Sequence, residues 1–208
     1  MPDLPESLSL YLVTDAPDRC RLGLLDTVVA AVEGGVSLVQ YRTVHAHKGA
    51  AYAEAQALRA LLAVRRVPLL VNDHIDLALA VDADGAHIGR RDLPPQAARR
   101  LLGPGRWLGL STNNLRQLEA TDFSLLDYIG IGPIFPTGTK RDVSPVVGVE
   151  KLACLVARSP CPVVAIGGIT LGVAASVRAA GVAGLAVASA ICGAVNPAAA
   201  ARALRRVG

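Results

Sequence analysis

Eight times along this chain a short apolar run of strand length is followed by a stretch with helical spacing, and that alternation limits the fold more than any other feature. The strand-like runs are Leu8–Asp15, Val36–Arg42, Pro68–Asp73, Gly85–Gly89, Arg106–Ser111, Leu126–Gly132, Pro162–Gly167 and Gly184–Ser189. Helical patterns follow at Leu24–Glu33, Ala50–Val64, Ile75–Val81, Pro94–Leu102, Leu115–Ala120, Glu150–Ala157, Leu171–Ala180 and Pro197–Arg206. Such an alternation makes parallel strands with helices packed outside them. Eight units of this kind close as a (β/α)8 TIM barrel of the α/β class. A doubly wound open sheet is the competing topology, but no G-x-G-x-x-G follows the first strand.

A chain of 208 residues suits one such barrel spanning 1–208, and no linker or low-complexity tract divides it. Hydrophobic residues make up 52% and aromatic ones 3%, so the core has to be built from Val, Leu, Ile and Ala, as parallel strands prefer. The net charge of +4 comes largely from helical arginines such as Arg99-Arg100 and Arg205-Arg206, which read as solvated surface. With few aromatics for base stacking and no binding motif, nucleic acid is not an expected partner. Cys20, Cys154, Cys161 and Cys192 lack C-x-x-C spacing and read as small buried hydrophobes. No signal peptide or membrane span is expected, so the reading is a cytoplasmic protein with small-molecule partners, a homo-oligomer being left open.

Barrels of this kind carry their chemistry at the carboxyl ends of the strands. Those ends hold Asp15, Gln40 and Arg42, Asn72 and Asp73, Ser111, Thr137 to Lys140, Gly167-Gly168 and Ser189, with Asp92 just beyond the fourth strand. Asp73 in VND and Asp92 in RRDLP suit Mg²⁺, which keeps several waters and is completed by substrate phosphates. The same two carboxylates could instead cap the helices opening at His74 and Pro94, and spacing alone favours capping slightly over metal. GPIFPTGTKRD, from Gly132 to Asp142, is a long loop with hydroxyls at Thr137 and Thr139 and a point charge at Lys140 for phosphate. AIGGIT and VASAI fall after the seventh and eighth strands, where this fold often binds phosphate through backbone N–H groups. The four histidines make a poor zinc site: His45-x-His47 lacks further ligands, and His87 reads as buried in the fourth strand.

Taken in order, VQYR, LVNDHIDLALAVDADGAHIG, DLP, DYIGIGPIFPTGTK, PVVAIGGI and GLAVASAI resemble the thiamin-phosphate synthase family, from LYLVTD at Leu10 to Ile191. The resemblance implies a transferase on a (β/α)8 barrel. It joins 4-amino-2-methyl-5-(diphosphooxymethyl)pyrimidine to a thiazole phosphate, giving thiamin phosphate and pyrophosphate with Mg²⁺. Gln40, Arg42 and Asn72 are then expected on the pyrimidine diphosphate, and Asp73 and Asp92 on Mg²⁺. Ser111 is expected at the reacting pyrimidine and leaving group, and Lys140 on pyrophosphate. Thr137, Gly138 and Thr139, with Gly168, Ala188 and Ser189, are expected on the thiazole phosphate. Ser111, Lys140 and Arg42 form the implied catalytic set. The reaction asks for no strong nucleophile, because the aminopyrimidine stabilises the cation left when pyrophosphate departs; positioning and electrostatics carry the rate.

The chain also departs from that family's pattern. Val44 stands where Q-x-R-x-K has its lysine, His74 where N-D is followed by Arg, and Asn113 where the fifth strand has S-x-H. The helix after IGGI lacks the usual Asn. Losing the lysine costs roughly a few kcal/mol if the contact is buried, and Lys48 or His47 could reach back to replace it. Two alternatives remain open: a thiazole tautomerase-like isomerase, against which Asp92 and Asn113 argue, and a non-catalytic barrel binding thiamin precursors.

Overall fold

The computed structural model describes residues 4–138 and 145–207. Its frame is a closed parallel barrel in which β1 to β8 pair in sequence order and β8 returns to β1. The strands are β1 Leu10–Val13, β2 Leu38–Tyr41, β3 Leu69–Asn72, β4 Gly85–Ile88, β5 Trp107–Thr112, β6 Tyr128–Ile131, β7 Val163–Ile166 and β8 Gly184–Val187. The helices are α1 Leu4–Leu8, α2 Leu24–Glu33, α3 Lys48–Arg65, α4 Ile75–Ala80, α5 Pro95–Leu102, α6 Leu115–Glu119, α7 Val149–Val156, α8 Leu171–Ala179, α9 Ser189–Cys192 and α10 Pro197–Arg205. The expected barrel is therefore present. Among the described residues no helix is long and apolar enough to cross a membrane.

Successive residues of each strand point to opposite faces. On β2 to β5, Val39, Val71, Ala86 and Leu108 face outward and join the helices in the larger core. Leu38, Leu70 and Trp107 turn inward with Tyr11, Val13, Tyr128, Val164 and Ala186 to fill the barrel itself. Each fully buried Leu contributes about 1.5–3 kcal/mol. Apolar side chains from every strand enter these two cores, so closure of the barrel and burial of its core are the same event.

Strand ends are shorter than the apolar pattern predicts. The expected first strand begins at Leu8, but Leu8 closes α1, whose last turn seats on β8. A Cβ at Gly184 would lie 1.7 Å from the Leu8 carbonyl oxygen, so only glycine admits that approach. The expected eighth strand runs to Ser189, yet Ala188 leaves the extended conformation and Ser189 opens α9. Asp73 turns to a φ of 63°, which ends β3 at Asn72. Helices follow the pattern more closely, since α2 has the expected bounds. The Asn114 and Asn196 side chains accept from the Gln117 and Ala199 N–H groups and start α6 and α10.

The cysteine expectation needs correction. Cys20 and Cys192 are buried and meet in space, but Cys154 is exposed and Cys161 half-buried.

Candidate active site

The carboxyl ends of the strands surround a cavity of about 600 Å³. Gln40, Arg42, Asn72, Asp73, Asp92, Ser111, Thr137, Gly168, Ala188 and Ser189 all line it. The structure thus brings together residues spread over most of the chain. Gly138 is exposed and outside this lining, and Thr139 and Lys140 lie outside the described residues.

Arg42 is held from behind. Its backbone N–H donates to Thr14 Oγ1 at 2.9 Å, and Nη2 donates to Asp15 Oδ1 at 3.1 Å. Asp15 is only 4% exposed, and its Oδ2 has no hydrogen-bond partner among the described residues. That oxygen instead faces the Arg19 guanidinium at 3.9 Å, and Arg19 also donates to the Gly138 carbonyl at 3.5 Å. A buried carboxylate against a half-buried guanidinium fixes the fork in one orientation at the cavity wall.

Neither aspartate caps a helix. His74 and Pro94 occupy the N-cap positions of α4 and α5, and neither helix has a side-chain cap. Asp92 Oδ2 accepts from the Gly89 N–H at 2.7 Å, and the Asp92 N–H returns to the Gly89 carbonyl at 3.4 Å. This reciprocal turn holds the carboxylate at the cavity rim. Asp73 enters from β3 in the left-handed region, a conformation that few non-glycine residues keep without a local reason.

Two carboxylates lining one cavity are a sparse set of hard oxygen donors. Among the described residues no cluster of three or more His, Cys, Asp or Glu could hold a metal ion by itself. Such a set fits Mg²⁺, which retains waters and takes oxygens from substrate, better than a metal needing a full protein cage. The donor chemistry of Asp73 and Asp92 therefore suits the expected ion.

Below the rim lies a polar chain whose middle members, Tyr11, Tyr128 and His87, strand-end reasoning missed. Gln40 Nε2 donates to the Tyr11 hydroxyl at 2.5 Å, and that hydroxyl lies 2.8 Å from the hydroxyl of Tyr128. The Tyr128 hydroxyl is 2.9 Å from His87 Nδ1, and His87 Nε2 is 2.9 Å from Ser111 Oγ. Burial raises both phenols well above their ordinary pKa, so both stay neutral. His87 is buried in β4 as expected, yet it faces the cavity. The available signal was parity, because His87 shares the inward face of β4 with Gly85 and Gly89.

Arg90 was also missed. Its guanidinium donates to the Ser111 carbonyl at 3.2 Å, Thr112 Oγ1 at 3.3 Å, the Gln117 carbonyl at 2.9 Å and Thr121 Oγ1 at 2.8 Å. These bonds tie the loop after β4 to β5 and α6. Partial burial lowers the Arg90 pKa from its ordinary value.

Lys48 does not reach back toward Arg42 and the cavity. It pairs with Asp76 and lines a separate groove with His45, Tyr52 and His74, while Val44 stays exposed. His47 is the exposed N-cap residue of α3, and its side chain makes no capping bond. His45 Nε2 lies 3.2 Å from Glu54 at the surface. Packing requires the paired glycines after β7. Gly167 and Gly168 have φ values of 96° and 66°, and a Cβ on either would fall 2.6 to 2.7 Å from Pro133 or Phe135.

With this geometry in place, the comparisons with known proteins agree. A model of the thiamine monophosphate synthase family matches residues 10–191. The thiamine-phosphate synthase of Xanthobacter autotrophicus is 47% identical over 97% of this chain and 95% of its own. That of a Psychrobacter species is 48% identical over 92% and 91%. A solved thiamine phosphate pyrophosphorylase from Pyrococcus furiosus superposes with a TM-score of 0.89 at 35% identity, covering 99% of this chain and 97% of that one. At 15% identity and a TM-score of 0.66, a 3-hexulose-6-phosphate synthase shares the fold alone. The chain belongs to the thiamine monophosphate synthase family and is a transferase of thiamine biosynthesis.

Proposed function

We propose that the cavity holds a pyrimidine diphosphate beside a thiazole phosphate and transfers the pyrimidine methylene to the thiazole nitrogen with release of pyrophosphate. One observation carries this reading: cation, carboxylate and hydroxyl groups from β2, β3, β4 and β5 converge on the same cavity as the glycine-bearing loop after β7. Arg42 would bind the diphosphate, with Gln40 and Asn72 orienting the ring. Thr137, Gly168, Ala188 and Ser189 would take the thiazole phosphate, with Gly138 and Thr139 completing that side and Lys140 on the pyrophosphate. Asp73 and Asp92 would hold Mg²⁺, which supplies charge neutralisation on the leaving group when bound.

The step is dissociative. The C–O bond breaks with its electron pair passing to pyrophosphate, and the thiazole nitrogen donates its pair to the resulting cation. Arg42 stabilises charge that develops on the departing oxygens, and the cavity walls hold nitrogen and carbon in line. The free Cys20, Cys154, Cys161 and Cys192 suit a reducing compartment and support a cytoplasmic setting for one barrel domain over 1–208.

Pyrophosphate release measured with both phosphorylated substrates tests the reading. Turnover is expected with Mg²⁺ and is lost on chelation. Absence of pyrophosphate at high enzyme concentration with both substrates and Mg²⁺ overturns it.

A further inference from the structure

Five side chains from five strands form one hydrogen-bonded path across the barrel: Gln40, Tyr11, Tyr128, His87 and Ser111. Its ends are candidate substrate ligands, and its middle is a buried pair of phenols and an imidazole. We propose that this path runs in one direction, from Gln40 to Ser111, and that His87 is a positioning residue making Ser111 a hydrogen-bond donor to the leaving diphosphate.

The direction follows from counting protons. The Gln40 amide nitrogen can only donate, so the Tyr11 hydroxyl accepts from it. Tyr11 has one proton, and its other polar neighbour is the Tyr128 hydroxyl at 2.8 Å. Tyr128 therefore accepts from Tyr11 and gives its own proton to His87 Nδ1 at 2.9 Å. An accepting Nδ1 places the imidazole proton on Nε2, which donates to Ser111 Oγ at 2.9 Å. Ser111 keeps one proton, and it points onward to the cavity that Ser111 lines.

The opposite direction fails at Tyr11. Its hydroxyl would accept from both Gln40 and Tyr128, leaving its proton without a partner at a residue only 2% exposed. A buried donor without a partner bears the full cost of desolvation. Glycines keep the space for the path. A Cβ at Gly109 would lie 2.2 Å from the Tyr128 ring and 2.5 Å from His87 Nδ1, and one at Gly130 would lie 3.1 Å from His87 Cε1.

Ser111 could give its proton to the pyrimidine or to the leaving group. A donor on the pyrimidine withdraws electron density and opposes ionisation. A donor on the departing oxygen stabilises the charge that forms there. The leaving diphosphate is thus the productive acceptor. This part of the inference rests on the proposed reaction, whereas the direction of the path does not.

The tests separate the two. Nitrogen-15 NMR of the histidine rings in the substrate-free protein, with His87→Gln assigning the signal, is expected to show the Nε2–H tautomer. The Nδ1–H tautomer overturns the path, because it requires Gln40 to present its carbonyl to Tyr11. For the role of Ser111, kcat is measured for Ser111→Ala, His87→Ala and the double variant. The first should fall about a hundredfold and the second about tenfold, with no further loss in the double variant. His87→Gln, which can still donate to Ser111, should recover most of the rate. Multiplying losses, or no recovery with Gln, overturn the positioning role. An inactive wild type overturns the proposed reaction and the acceptor assigned here, while the tautomer still decides the path.

Discussion

The two ends of the barrel interior are built from the same strands by opposite rules. At the amino end, Leu38, Leu70 and Trp107 meet Leu8 of α1 in a buried apolar plug. Two residues further along the same strands, the inward positions become Gln40, Asn72 and Gly109, the last against the Tyr128 and His87 rings, and one step beyond lie Arg42 and Ser111. The lower layer is tolerant chemistry under strict volume, since any apolar group of the right size would serve. The upper layer is the reverse, because each polar group there needs a partner of the right kind and polarity. Volume therefore constrains one end of the barrel and hydrogen-bond polarity the other, only two residues apart along each strand.

The largest effect that would sharpen this contrast belongs to the rim. Asp92→Ala should lower pyrophosphate release about a hundredfold or more, with a melting temperature near that of the wild type, because an exposed carboxylate in one turn supports little of the fold. A large fall in melting temperature would mean that Asp92 is a structural turn residue after all. Lys140→Ala is expected to behave in the same way, and both should exceed His45→Ala by a wide margin.

One layer down, Gly109→Ala should lower activity about tenfold and destabilise by about 1–3 kcal/mol. Its methyl would displace Tyr128 and His87 together. Normal activity in urea-stable protein would show that the polar path is dispensable. At the amino end, Leu70→Ala should cost about 2–5 kcal/mol in denaturant unfolding while the folded fraction keeps its rate within about twofold. A specific loss of rate there would erase the separation between the layers.

The smallest effect is expected outside the mouth. The Lys48 ammonium holds the Asp76 carboxyl below its ordinary pKa, but the two side chains are 77% and 55% exposed. Such a pair stabilises little, so Lys48→Ala should change stability by no more than about 0.5 kcal/mol and leave the rate unchanged. A measurable rise in KM for the diphosphate substrate would restore Lys48 as the replacement for the cation absent at Val44.

Part of this architecture is legible in the order of residues alone. Long periodic segments such as Leu24–Glu33 keep their expected bounds, because their spacing repeats over several turns. Helices of five and four residues, α1 and α9, carry too little pattern to separate them from neighbouring strands. Candidate ligands at strand ends are legible because a barrel brings those ends together whatever the loops do. Asp15 behind Arg42, Arg90 bonding the loop after β4 to β5 and α6, and the phenol pair have roles that no local pattern signals. Tyr11 and Tyr128 are 117 positions apart, and local spacing says nothing about whether their hydroxyls meet.

Residue order alone was enough for the barrel, for its order of strands and for ten of the residues that line its mouth, from Gln40 to Ser189. Those follow from alternation and parity, which are local properties of a polypeptide. Packing in three dimensions settles that Lys48 pairs with Asp76, that His74 and Pro94 rather than the aspartates take the N-cap positions, and that a buried path joins Gln40 to Ser111. The path depends on donors and acceptors meeting within about 3 Å across the barrel, a distance that closure sets and spacing along the chain does not, and the Lys48–Asp76 pair depends on α3 lying beside α4.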